Sequence, residues 1–346
     1  METNVIKFGG TSLGSAASII NAANIARSDG GAAVVVSAPG KDGGGKKITD
    51  LLYGVCARPS DSEPMLTVKN RFDGIVRSLG LDLDLSGVYK TVLRAAKDGD
   101  SMLAVSRGEY MSALIFSALT GYAFVDAASV IRFAPCGSLM KDETFFSIRA
   151  AAAKHKKIVV PGFYGSDGDG NIITFPRGGS DISGAVVAAA LDAEVYKNYT
   201  DVDGFMFADP KFDENSRVIA HMSYKQARFL AKHGAGVLCE GAIPYAADAG
   251  VAINVKNSFA PGGRGTVISD IPCRDEYFGV AVEQADNGVI SIAVGAAEPQ
   301  KAQKTLEKII KRLGGRISSF KTEECGAAFT VFGDDDIVRG VIREIS

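Results

Sequence analysis

Short runs of β-branched and apolar residues punctuate the chain at Asn4–Phe8, Ala32–Ser37, Phe124–Asp126, Ile158–Pro161, Glu194–Thr200 and Ile253–Lys256. Between them lie segments with small or apolar residues at helical spacing, among them Leu13–Arg27, Gly108–Leu119, Asp181–Leu191 and Tyr224–Lys232. Strands alternating with helices predict an α/β fold in which helices cover both faces of a largely parallel sheet. Ligands of such sheets gather outside the carboxyl ends of the strands. Here those ends carry Gly9-Gly10, Ser37-Ala-Pro-Gly40, Gly162-Phe-Tyr-Gly165 and Thr200-Asp-Val-Asp-Gly204, so one site can collect all four.

The rhythm changes near Ser269–Asp275, where a proline and several charges interrupt it. A domain boundary is expected there, with one domain over 1–270 and a second over 276–346. The second has two apolar runs, Phe278–Val282 and Val289–Val294, then a helix with Ala302, Leu306, Ile309, Ile310 and Leu313 on one side. Gly314-Gly315 is its natural stop. Two further strands, Arg316–Lys321 and Ala327–Phe332, and a helix over Asp334–Glu344 complete a small α+β module. A unit of that size has a small core and leans on a neighbour or a twin.

Composition narrows the function classes. The chain has 346 residues, 46% of them hydrophobic, and a net charge of −2, so its overall charge attracts neither nucleic acid nor an anionic membrane. A small-molecule partner is expected. The five cysteines are scattered and never spaced as Cys-x-x-Cys, which argues against a disulfide framework and a zinc site and suits a reducing cytoplasm. Met1-Glu-Thr3 leads directly into a strand, with no room for a basic and apolar leader, and no stretch has the ~20 apolar residues of a membrane helix.

The segment Lys7-Phe-Gly-Gly-Thr-Ser12 runs from a strand into a lysine and two glycines. Lys7 can offer a point charge to a phosphoryl group, and Gly9 and Gly10 let backbone N–H groups approach phosphate oxygens; an ordinary tight turn is the other reading. The pattern is not that of a P-loop. Arg177-Gly-Gly-Ser-Asp181 precedes a helix, so Ser180 and the glycines lie where backbone donors favour an anion, and Arg177 adds a planar fork for a carboxylate or phosphate. Equally, Ser180 or Asp181 caps that helix and Arg177 is a surface charge. Ser106-Arg-Gly-Glu109 reads as the opening of the helix Tyr110–Leu119, with Glu109 either compensating the helix dipole or receiving a substrate ammonium group. Thr200-Asp-Val-Asp-Gly204 and Asp209-Pro-Lys211 form a loop rich in acids and hydroxyls, suited to nucleotide or metal, or to a simple turn. His155, His221 and His233 stand apart from any nucleophile and read as structural or surface residues.

Taken in order, these segments resemble the aspartate kinases of the amino acid kinase superfamily. Matching stretches also include Val34-Val-Val-Ser-Ala38, Thr49-Asp-Leu-Leu52, Phe124-Val-Asp126, Gly162-Phe163 and Lys256-Asn257, and they span residues 4 to about 268. The resemblance implies a three-layer sandwich around a mainly parallel sheet, followed by an ACT-like domain. It implies transfer of the γ-phosphoryl of MgATP to the β-carboxylate of L-aspartate, the first step of lysine, threonine and methionine biosynthesis. Carried over residue by residue, Lys7 and Asp181 are catalytic, with Asp181 orienting Lys7 or a substrate group. Ser37, Thr49 and Ser180 line the aspartate pocket, Glu109 meets the α-ammonium and Arg177 the α-carboxylate. Lys7, Gly9, Gly10, Thr200, Asp201, Asp209 and Lys211 surround the nucleotide, and no protein side chain is assigned to a metal.

Two departures from the family pattern stand out. Gly236 and Cys239 occupy positions where many members carry lysine and histidine near the nucleotide. Typical members also end in two ACT modules; here there is room for one, and its loop Gly295-Ala-Ala-Glu-Pro299 lacks the usual effector-binding Pro-Gly pattern. A cytoplasmic homodimer with weak or absent feedback regulation is therefore expected. The competing readings are a non-catalytic regulatory subunit and a kinase for another amino acid.

Overall fold

The computed structural model describes residues 4–41, 45–285 and 288–346. The reading of Met1–Thr3 as carrying no leader lies outside the described residues. The chain divides into two compact units, Met1–Asp201 with Asn257–Pro261, and Val202–Lys256 with Gly262–Ser346.

The first unit contains β1 (Asn4–Phe8), α1 (Ala16–Ser28), β2 (Ala33–Val36), α2 (Ile48–Ala57), α3 (Ser62–Ser78), α4 (Ser86–Lys97), α5 (Ser101–Thr120), β3 (Ala123–Phe124), α6 (Ala127–Val130), α7 (Lys141–His155), β4 (Ile158–Pro161), β5 (Tyr164–Ser166), β6 (Ile172–Thr174), α8 (Gly179–Ala190) and β7 (Val195–Thr200). Its sheet runs β3-β4-β2-β1-β7, every pair parallel, as the alternation predicts. Because strand side chains alternate between faces, β1 divides its residues between two environments. Ile6 and Phe8 join Val34, Val36 and Tyr199 in a core with α1 to α5, where Phe8 stacks on Tyr199 with ring centroids 5.4 Å apart. Val5 and Lys7 face the other way, with their register partners Tyr196 and Asn198, toward α8. The strand pattern thus delivers Lys7 to the α8 face.

Helix α5 begins well before the expected start. Asp100 caps it by accepting from the Leu103 N–H at 2.9 Å, and no breaker intervenes before Arg107. Glu109 therefore lies in the middle of a twenty-residue helix, which removes the dipole-compensation reading. Helices α2, α3, α4 and α7 were not singled out by apolar spacing. In α3 the stripe Met65, Val68, Phe72, Ile75 and Val76 is interleaved with charge, and α7 buries only Thr144 and Ile148.

The second unit contains β8 (His221–Ser223), α9 (Tyr224–Lys232), α10 (Ile243–Asp248), β9 (Ala252–Asn257), β10 (Thr266–Ser269), β11 (Tyr277–Ala285), β12 (Val289–Ala296), α11 (Pro299–Arg312), β13 (Arg316–Glu323), β14 (Gly326–Phe332) and α12 (Asp335–Ile345). Strand β10 pairs antiparallel with β9 and parallel with β8. The last four strands form an antiparallel sheet ordered β11-β12-β14-β13, matching the expected α+β module. Its core takes in α11, α12 and also Phe207, Ala208 and Phe212 from far upstream. Arg339 donates to the carbonyls of Phe212 and Lys211 at 3.0 and 2.9 Å. The module is thus part of a larger compact unit, because its apolar face is completed by residues outside 276–346. Phe329 is almost fully buried in that core. Its replacement by Ala is expected to destabilise the second unit by about 3–5 kcal/mol, read as a lowered urea midpoint at unchanged slope.

Candidate active site

The two residues assigned to catalysis meet. Lys7 Nζ lies 2.6 Å from Asp181 Oδ1, and the lysine is 7% exposed. Asp181 is in the first turn of α8, whose N-cap, Gly178, has φ 80° and whose first turn has no side-chain cap. The left-handed conformation at Gly178 explains the glycine there. Gly162 and Gly179 answer a packing demand: a Cβ on Gly162 would sit 2.8 Å from the Ser180 side chain, and one on Gly179 2.8 Å from the Phe163 ring. The end of β4 is thereby brought against the start of α8. Phe163 itself has φ 79°, a strained value for a residue with a side chain, and its N–H donates to Ser183 Oγ at 2.9 Å.

Gly9 and Gly10 are not equivalent. The Gly9 N–H donates to the Tyr199 carbonyl at 2.9 Å, so the expectation that it holds a phosphate oxygen is corrected: the parallel ladder already uses this donor. Its missing side chain leaves the Lys7 ammonium uncovered, since a Cβ there would stand 3.5 Å from Nζ. Gly10 packs backbone to backbone on Gly40, whose N–H donates to the Gly10 carbonyl at 2.7 Å. Ser37 donates its N–H to the Phe8 carbonyl at 3.2 Å, and α2, with Thr49 in its first turn, is tied to this loop by the Ile48 N–H on the Pro39 carbonyl, also 3.2 Å.

Glu109 reaches the same rim from α5. Gly108 lets the helix approach closely, because a Cβ there would be 2.9 Å from that of Ala38. The Glu109 carboxyl is buried, accepts from the Ala38 N–H, and leaves Oε2 without a hydrogen-bond partner. Burial pushes its pKa up to about 8, against the lowering effect of backbone N–H groups and Arg107. Arg177 is exposed on the turn before α8 and Ser180 is buried within it. Thr200 Oγ1 donates to Asp201 at 3.1 Å at the end of β7.

In the second unit, Asp209 accepts from the Lys211 N–H at 2.8 Å in a turn. Lys211 Nζ lies 2.9 Å from Gln284 Oε1 and 3.9 Å from Asp335, toward the C-terminal module. Gly236 has φ 65°, a conformation that disfavours a lysine, and Cys239 precedes a short helical turn. Among the described residues no group of three or more His, Cys, Asp or Glu side chains is arranged to hold a metal.

The model of the amino acid kinase family matches residues 2–257. The chain belongs to the amino acid kinase family. Within that family it is 33% identical over 313 residues to aspartokinase 3 of Bacillus subtilis, covering 84% of this chain and 68% of that protein. It is 31% identical over 270 residues to an aspartokinase of a Bacillus species, covering 77% and 58%. The chain thus spans roughly three-fifths to two-thirds of the length of these relatives. The crystal structure of Clostridium acetobutylicum aspartate kinase superposes with a TM-score of 0.84 at 25% identity, over the whole of both chains. A family member of this kind was expected from Lys7-Phe-Gly-Gly-Thr-Ser12 and Arg177-Gly-Gly-Ser-Asp181.

Sequence reading missed Asn198 and Tyr196, which complete the surroundings of Lys7 and Asp181. The available signal was an asparagine in an interior strand, where that residue is disfavoured. The raised Glu109 pKa generates a stability test. A carboxyl whose folded pKa lies above its unfolded value of 4.5 contributes stability that is lost as pH rises toward 8. Glu109→Gln is therefore expected to gain stability over the parent from pH 5 to 8 and to hold a constant advantage above, by up to on the order of 5 kcal/mol. Thermal unfolding of both proteins across that range is the measurement; parallel curves contradict the burial of an ionisable group.

Proposed function

We propose that this chain is an aspartate kinase, transferring the γ-phosphoryl of MgATP to the β-carboxylate of L-aspartate to give 4-phospho-L-aspartate and ADP in amino-acid biosynthesis. The observation that carries the reading is Glu109. A buried carboxyl with one oxygen unmet, beside the strand end where a catalytic lysine emerges, calls for a cationic group from a ligand, and the α-ammonium of an amino acid supplies one.

In this reading Arg177 receives the α-carboxylate through its fork, and Ser37, Thr49 and Ser180 line the pocket around the carbon chain. The substrate β-carboxylate is ionised at pH 7 and needs no base to act as nucleophile. The difficulty is repulsion between two anions. Lys7 answers it by placing its charge against the phosphoryl group in transit, and Asp181 holds Lys7 in place rather than taking a proton. Gly9 keeps the ammonium uncovered. The uncapped N-terminus of α8 and Gly10 offer backbone donors. Thr200, Asp201, Asp209 and Lys211 are assigned to the nucleotide. Mg2+ enters on the phosphates of ATP and offsets their charge.

The C-terminal module, residues 276–346, is assigned as ACT-like beside a catalytic domain of residues 1–270. Its edge strand β13 is mostly exposed, with Phe320 51% exposed. Pairing of this edge with a twin buries apolar surface and satisfies the open ladder, which supports a homodimer. In the loop Gly295–Pro299, Gly295 lies under the Phe278 ring and Glu298 is 3.8 Å from Lys301. The missing Pro-Gly pattern in this loop supports weak feedback control by free amino acids, and a cytoplasmic setting fits free ATP and aspartate.

Separate measurements test these assignments. ADP release with L-aspartate, L-glutamate and N-acetyl-L-glutamate is expected to be fastest with aspartate; preference for the N-acetylated substrate removes Glu109 from its role. Lys7→Met is expected to lower kcat by a factor of about 100, the ~3 kcal/mol of one lost electrostatic stabiliser, and near-normal turnover of the folded variant refutes the role given to Lys7. Arg177→Ala is expected to raise KM for aspartate much more than KM for ATP; the reverse assigns Arg177 to nucleotide. For the module, light scattering is expected to give a dimer that Phe320→Arg converts to monomer, with activity changing less than about twofold in millimolar lysine, threonine or methionine.

A further inference from the structure

The surroundings of Lys7 on the side away from Gly9 contain a hydrogen-bonded chain that no motif announces. Asn198 is the register partner of Lys7 on β7 and is 1% exposed. Its Oδ1 accepts from Lys7 Nζ at 3.4 Å, and its Nδ2 donates to Asp181 Oδ1 at 3.0 Å and toward the Tyr196 hydroxyl at 3.3 Å. The Tyr196 hydroxyl in turn donates to the Asp181 carbonyl at 3.1 Å.

Two constraints fix which way the Asn198 amide points. The Asp181 carboxylate is an acceptor only, so it takes the NH2 side. The Tyr196 proton is directed to a carbonyl, so its lone pair also faces the NH2 side. The amide oxygen is left to Lys7. Tyr196 reaches this position because residue 184 is glycine: a Cβ there would stand 2.5 Å from the tyrosine oxygen. Removal of one side chain on α8 thus admits the hydroxyl that orients the amide that meets the lysine.

We propose that Asn198 is a positioning residue for the reaction, setting the direction of the Lys7 ammonium so that its remaining N–H points past Gly9 to the transferring phosphoryl, with Tyr196 and Gly184 holding Asn198 in that orientation. This rests on the aspartate kinase reading. An ammonium has three donors. Asp181 takes one at 2.6 Å and Asn198 a second, more weakly, at 3.4 Å. With Asp181 alone the ammonium is free to swing about that single contact; with two acceptors on its protein side, the third donor has one direction. Positioning of this kind acts on the chemical step and not on substrate affinity.

The test is a double-mutant cycle on the full chain. Asn198→Leu preserves shape and removes both polar atoms; it is expected to lower kcat about tenfold, the scale of one hydrogen bond to a charged group, with KM for aspartate and ATP within about twofold. Tyr196→Phe, which removes only the hydroxyl, is expected to lower kcat a few-fold, about twofold to fourfold. Because Tyr196 acts through Asn198, the double variant is expected to be no worse than Asn198→Leu alone. Unchanged kcat in folded Asn198→Leu, a loss expressed in KM, or fully additive losses overturn the proposal. A second readout separates it from the functional reading. The 15N signal of the Lys7 ammonium is expected to be protected from solvent exchange in the parent protein and to lose protection in Asn198→Leu. If the parent phosphorylates no amino acid, the functional reading falls, and an unaltered Lys7 signal in Asn198→Leu overturns the positioning independently.

Discussion

The contact between Lys7 and Asp181 governs the arrangement of the first unit, because it joins an interior strand of the sheet to the first turn of the helix lying on one face. Removing two charges from water costs several kcal/mol for each ion, and their attraction offsets this only with good geometry and further hydrogen bonds. Both conditions are met. The oxygen-to-nitrogen distance is 2.6 Å, and Asn198 donates to the same carboxylate. A buried pair of this kind is poor evidence of net stability. Its effect is to define one seating of α8 on the sheet, since a shift of one residue in either element leaves a charge in an apolar layer.

The close approaches around α8 follow from that seating. Glycines at 162, 179 and 184 occur where a Cβ would come within about 3 Å of the side chains of Ser180, Phe163 and Tyr196. The left-handed conformation of Phe163 belongs to the same set: the strand end bends sharply enough to pass beneath the helix, and the Ser183 hydroxyl accepts its N–H. Strain at a ligand-facing rim is held by surrounding packing.

Much of this was legible in the sequence. The strands at 4–8 and 158–161 and the helix at 224–232 have the predicted bounds, because each keeps the apolar spacing of its element and its ends are marked by glycine, proline or a serine cap. Lys7 and Asp181, 174 positions apart, were joined by a family pattern rather than by periodicity. One miss was local, because the start of α5 at Ser101 is marked by the Asp100 cap. The rest was tertiary in origin: Glu109 acquires its environment from Ala38, some seventy positions earlier in the chain. Asn198 looked like an unfavourable strand residue because its partners are distant in the chain. The C-terminal module seemed separable for the same reason: Phe207 and Phe212, which complete its core, lie more than sixty positions before it.

The contact of Gly10 with Gly40 bears on how the pocket meets a ligand. Side chains at a loop tip ordinarily act as spacers that let one loop slide over another. Here the two backbones touch, a Cβ on Gly40 would lie 2.8 Å from the Gly10 carbonyl carbon, and a short N–H to carbonyl bond crosses the gap. The ends of β1 and β2 are therefore a welded corner, with Lys7 on one arm and, through Ala38, Glu109 beside the other. Entropy of ordering that corner is lost when the chain folds and not when a ligand arrives, so whatever enters encounters a rigid template whose two ionisable landmarks keep a constant separation.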